Sequence, residues 1–239
     1  MSFLTILQDV ADEIGIAQPA TGISNANPEV LKLIRYVDKV GNMIMKSFAW
    51  QLLTKEQTFT SVAAETQTST IIPSDFDRFL PETFWNRDDN KLITGPITSK
   101  EWQGLKAADF DNSTSRKFRL RENSILIAPV PVAGNTLAYE YVSNKWVDTV
   151  AGGAPKTSFT IDTDVPIIDA ELLTLGVVYE FLNGAGLPAG AAAKAYLDYF
   201  KIVAKNDQPT STVMVAGDIF WGSSSRHYHG TPSASGAVI

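Results

Sequence analysis

The chain has 239 residues, 44% of them hydrophobic and 19% charged, which fits one or two folded domains and excludes disorder of the whole chain. It contains no cysteine and only two histidines, which excludes disulfides, thiolate zinc sites, a cysteine nucleophile and a histidine-built metal cage. The formal net charge of −6 and a pI near 5.0 repel nucleic-acid phosphates, so classical DNA binding is not expected.

The first residues carry Asp9, Asp12 and Glu13 where a secretory signal would have a basic start and an unbroken apolar run. No stretch approaches about 18 uncharged apolar residues, so a soluble chain without membrane anchor or targeting segment is expected. Phe3, Leu4, Leu7, Val10, Ala11 and Ile14 recur at three- and four-residue steps between Ser2, an N-cap, and Gly15, a helix stop. They predict a short amphipathic helix. Asn27-Pro28 starts a second helix. Its apolar positions Val30, Leu31, Ile34, Val37, Ile44, Met45, Phe48 and Leu52 predict a helix over 28–53, about 39 Å long. Gly41 sits in its middle at a cost of about 1 kcal/mol relative to alanine, unless another backbone packs close to it.

From Glu56 the period changes to two, and short alternating runs separated by turn residues predict a mostly β middle up to about Thr163. The clearest strands are 68–72, 116–121, 124–128 and 136–143, with Glu122-Asn123 as a two-residue hairpin turn. One helix interrupts them, capped by Ser99 and carrying Trp102 and Leu105 on one face. After Val165-Pro166 the helical period returns through Ile168, Leu172, Leu175, Val178, Tyr179 and Leu182, ending at Gly184-Ala185-Gly186. A last, alanine-rich helix covers 189–205. The expected fold is α+β: an antiparallel helical bundle (1–55 and 165–206), an inserted β-rich domain (56–164) and an extended C-terminal arm (207–239).

No catalytic or metal site and no cofactor is expected. Asp75 and Asp77 follow Pro73-Ser74, where short acidic side chains bond nearby backbone amides and shape turns. His227 and His229 lie in the tail without supporting structure. Gly184-Ala185-Gly186 follows a helix and does not open one, so it is a C-cap and not a phosphate loop. Trp50, Phe84, Trp85, Trp102 and Trp146 have no interleaved basic patch, and core packing accounts for them. Two partner-facing features stand out. Lys117, Arg119 and Arg121 alternate along a strand and share a face toward solvent or an acidic partner. In the polar tail, Val213, Met214, Val215, Ile219, Phe220 and Trp221 form an apolar patch, the mark of an arm that docks on something, with folding back on its own domain as the alternative.

The order of five short runs resembles that of tailed-phage head-to-tail adaptor (connector) proteins. These are Phe48-Ala49-Trp50-Gln51-Leu52-Leu53, Ile72-Pro73-Ser74-Asp75-Phe76-Asp77-Arg78-Phe79, Trp85-Asn86-Arg87, Gly95-Pro96-Ile97-Thr98-Ser99-Lys100-Glu101-Trp102 and Ile127-Ala128-Pro129-Val130-Pro131. The resemblance covers about residues 1–205 and carries over no active site. It implies a structural ring under the portal, typically of twelve copies, with the bundle against the portal and the β-rich part toward the tail. The implied partners are the portal protein, a downstream tail or nozzle protein and further copies of the chain. Genomic DNA would pass through without sequence-specific binding, and the acidic charge suits a channel wall that does not grip it. The implied location is the virion, with assembly in the host cytoplasm. Two alternatives stay open: a tail-associated cell-wall glycan hydrolase, whose acid would be sought at Glu82 or Glu101 as a carboxyl of raised pKa, and a trimeric tail-tip receptor-binding module.

Overall fold

A computed structural model describes residues 1–67, 71–108, 115–150 and 152–207. The architecture is α+β. Helix α1 (Phe3–Ile14) begins where the Ser2 side chain accepts a hydrogen bond from the Thr5 amide and ends at Gly15 in the left-handed region, φ 74°. Its first free amides are taken by the loop before α4: Phe3 N donates to Asp164 O at 2.7 Å and Leu4 N to Asp162 O at 3.1 Å. Helix α2 (Pro28–Ser47) is capped by Asn27, whose side chain accepts from Glu29 N, with Pro28 in the first turn.

Helix α2 stops six residues short of the expected end. Phe48 is extended, at φ −145° and ψ 155°, and a short 3₁₀ turn, Gln51–Leu53, follows. The last-turn carbonyls, which have no partner within a helix, are satisfied from outside. Trp50 Nε1 donates to Ile44 O at 2.8 Å, and Arg78, thirty residues along the chain, donates to Met45 O at 3.3 Å and Phe48 O at 2.6 Å. Helices α4 (Ala170–Gly184) and α5 (Gly190–Asp207) complete the helical part. Helix α4 contacts α1, α2 and α5. Their shared core includes Phe3, Leu33, Val37, Ile44, Leu173 and Val177. It also takes in Trp146, Val147 and Phe159 from the β-rich stretch.

Strand β7 (Thr136–Ser143) organises the main sheet. It pairs antiparallel along one side with β1 (Thr54–Thr60) and along the other with β2 (Phe76–Phe79) and β3 (Trp85–Asn86), while β4 (Lys91–Leu92) extends β3. Inward residues of these strands, Tyr139 and Tyr141 among them, meet Phe84, Phe118 and Ile127 in a second core. Strands β5 (Lys117–Arg121) and β6 (Ser124–Ala128) form a hairpin on Glu122-Asn123. Both turn residues have positive φ, 50° and 58°, as a type I′ turn requires.

Helix α3 (Ser99–Ala107) lies between β4 and β5 in the chain. Its N-cap is Thr98, one residue earlier than expected, in a capping box with Glu101. Three two-residue strands, β8 (Val147–Asp148), β9 (Pro155–Lys156) and β10 (Val165–Pro166), connect the main sheet to α4. The expected strand over 68–72 falls partly outside the described residues, and Ile71 and Ile72 are in no strand. Among the described residues no helix is long and apolar enough to cross a membrane.

Candidate partner-binding surfaces

A concavity of about 440 Å³ opens on the outer face of the main sheet. Alternation along β1 and β7 turns Phe59, Leu137 and Tyr139 inward, so Glu56, Thr58 and Glu140 face out. Register places Glu56 directly opposite Glu140, and like charges in such a pair are unfavourable. Arg87, just past β3, answers them with an ion pair to Glu56. Glu82 joins the rim from a turn at φ 61°. Trp85 of β3 stands in the groove 44% exposed, its Nε1 donating to Glu82 O at 3.2 Å. Core packing thus accounts for Trp50, Phe84, Trp102 and Trp146, all buried, but not for Trp85.

Glu82 and Glu101 are not brought together. Glu82 lines this groove, whereas the Glu101 carboxylate accepts from Thr98 N and Thr98 Oγ1 in the capping box. The Thr98 backbone bond, then its hydroxyl, and the charge of Lys117 hold Glu101 below the ordinary carboxylate pKa. That is opposite to what a general acid at neutral pH needs.

Lys117, Arg119 and Arg121 do share one face of β5, but α3 roofs part of it. That face carries Leu126 and Ala128 of β6 by register, and Trp102 packs on both. Arg119 Nη2 donates to Ser99 Oγ at 2.8 Å, and Lys117 lies close enough to Glu101 to lower its pKa. Arg121, at the hairpin end, is exposed.

Asp75 is structural, through partners other than the backbone amides expected of it. Its carboxylate accepts from Lys55 Nζ at 2.7 Å, Ser143 Oγ at 2.9 Å and Tyr141 Oη at 3.0 Å. Burial works to raise its pKa, yet the bonds from Lys55, Ser143 and Tyr141 outweigh burial and hold it below the ordinary value. Burial and the same Asp75 bond push the Tyr141 hydroxyl up to about 12. A charge so fully engaged is a fastener between β1, β7 and the turn before β2. Asp77 likewise pairs with Arg78 at 2.6 Å.

A second, more apolar groove of about 300 Å³ lies where α5 ends, lined by Trp50, Leu52, Ile167, Ile168, Val203 and Asp207 among others. Leu52, counted in the sequence as part of the α2 stripe, is 70% exposed here. The apolar arm residues Val213, Met214, Val215, Ile219, Phe220 and Trp221, and both histidines, lie outside the described residues. Among the described residues no cluster of three or more acidic or histidine side chains is placed to hold a metal ion.

No protein-family model matches the chain, and no curated protein is significantly similar to it.

Proposed function

We propose that this protein is a structural head-to-tail adaptor of a tailed bacteriophage. About twelve copies form a closed ring under the portal, join it to the downstream tail or nozzle protein, and continue the DNA channel. In this reading α1, α2, α4 and α5 are an antiparallel bundle, residues 56–164 an inserted β-rich domain, and 207–239 an extended arm. The protein works in the virion after assembly in the host cytoplasm, without catalytic chemistry or cofactor.

The observation that carries the reading is where three of the five adaptor-like runs fall: at joints between layers. Trp50 and Arg78 close the end of α2. Asp75 fastens β1 to β7, and Trp102 seats α3 on β6. A part that carries load between portal and tail needs its helical and sheet layers coupled in this way. The charge of −6 per copy lines a conduit with a wall that repels its cargo.

Mass photometry of the purified protein, alone and mixed with its cognate portal ring, tests the proposal. Attachment of about twelve copies per portal ring is the expected result, and persistent failure to bind the portal refutes it.

One observation favours a second reading, glycan recognition at a tail tip or by a tail hydrolase. An exposed Trp85 beside Glu56, Glu82 and Glu140 has the makeup of a sugar subsite, an aromatic face with hydrogen-bonding carboxylates. Titration with chitooligosaccharides and peptidoglycan fragments, read by Trp85 fluorescence against Trp85→Phe, decides it. Saturable quenching that the variant abolishes would move the function to this groove.

A further inference from the structure

The apolar groove at the end of α5 has an edge that bears on what fills it. Asp207, the last described residue, is itself part of the lining. It is pinned there: Gln51 N donates to Asp207 Oδ2 at 2.9 Å, and the Gln51 side-chain amide donates to Asp207 O. The chain therefore leaves α5 at the mouth of a groove that includes exposed Leu52, Val203, Ile167 and the edge of Trp50. Beyond it come Gln208-Pro209-Thr210-Ser211-Thr212 and then Val213-Met214-Val215.

We propose that Val213, Met214 and Val215 fold back into this groove of their own chain. The C-terminal segment is then latched at its root, and only the residues beyond it, with Ile219, Phe220 and Trp221, reach a partner. The six residue steps from Asp207 to Val213 span at most about 20 Å. That is ample to return to the groove mouth, and short of the roughly 30 Å diameter of even a small domain. A tether this short holds the triplet at millimolar effective concentration, well above what a second copy offers at micromolar protein. The groove, at about 300 Å³, is at the small end of ligand pockets and suits a few aliphatic side chains. This inference does not depend on the adaptor role, since it concerns the free chain alone.

Because the protein has no cysteine, disulfide trapping tests it in the full-length chain. Leu52→Cys with Met214→Cys places one thiol on the exposed groove rim and one in the triplet. Thr58→Cys with Met214→Cys is the control, Thr58 being exposed on the outer sheet face. Under mild oxidation the groove pair is expected to close intramolecularly, at least about tenfold faster than the control pair. Adding Val213→Asp and Val215→Asp should slow it to the control rate. Products are read on non-reducing gels and by peptide mass spectrometry, with far-UV circular dichroism to verify folding. Equal rates for the two pairs overturn the latch. So does a cross-linked dimer as the main product, which assigns the groove to a second copy, and so does trapping that ignores the two aspartates.

Discussion

Substituting Gly41 by alanine puts two opposing effects in one position. In an open helix the change would stabilise by about 1 kcal/mol. Here a Cβ on Gly41 would lie 2.1 Å from Trp146 Cη2 and 2.4 Å from Cζ3, against the 3.5–4.0 Å or so at which carbon atoms pack. Trp146 is fully buried and cannot yield freely. Its ring meets Phe159 edge-on at 5.3 Å, and Phe159 stacks on Phe3 of α1 at 4.6 Å. Moving the indole by more than 1 Å therefore disturbs a chain of rings across the helical core. Overpacking of this kind costs about 1–3 kcal/mol or more, so Gly41→Ala is expected to destabilise by about 2 kcal/mol net. For a chain of this size that lowers Tm by about 4–8 °C. In a Trp146→Leu background the clash is gone, and the alanine should be neutral or stabilising by up to about 1 kcal/mol, a coupling of about 2–3 kcal/mol. Urea titrations of the four proteins, followed by far-UV circular dichroism, measure it. A Gly41→Ala protein as stable as its parent would refute the account of why glycine stands there.

Arg78→Ala leaves the carbonyls of Met45 and Phe48 without their side-chain donor and should cost about 2 kcal/mol, with Arg78→Lys restoring only part of it, by the same titration. Asp75 has a folded pKa held below the ordinary carboxylate value, so its stabilisation is complete above that ordinary value and disappears as pH falls through the folded pKa. Asp75→Asn should therefore lose stability at pH 7 but show a flatter decline from pH 5 to pH 2 than the parent. Asp38 has the opposite sign: burial raises its pKa, against a bond from the Phe159 backbone, so its charged form disfavours folding above that pKa. Asp38→Asn should stabilise at pH 7, with the gain vanishing in acid as the parent's carboxyl protonates; denaturation at pH 7.5 and pH 4 checks it. Glu140→Gln removes the like-charge opposition to Glu56 and should stabilise by a few tenths of a kcal/mol, less at 1 M salt, in thermal melts.

Elements whose signals are local were legible in the sequence. Ser2 and Gly15 bracket α1 because an N-cap and a left-handed stop act within their own helix turn. Glu122-Asn123 marks the β5–β6 hairpin because a two-residue turn fixes its own register. The end of α2 was not legible. Phe48 and Leu52 continue the apolar stripe, and nothing nearby stops the helix; the donor to its last carbonyls arrives from Arg78 in β2. Glycine in mid-helix signals a close approach, and here the approaching group is the Trp146 ring and not a backbone.

The surfaces were harder to read than the fold for the same reason carried further. Glu56 and Glu140 are each an ordinary outward residue of an alternating strand, and only strand register sets them opposite one another. Leu52 looks like core until the helix ends before it and leaves it 70% exposed. Two of the recognisable runs, by contrast, direct polar atoms into joints: Trp50 and Arg78 to helix carbonyls, Asp75 to Lys55, Tyr141 and Ser143. Joints demand particular side chains at particular places, because a buried carbonyl left without a donor costs about 1–3 kcal/mol. A docking surface demands only shape and polarity spread over several elements. Residues that hold joints can therefore be picked out in the sequence one by one, while a surface spread over several elements appears only once the chain is folded.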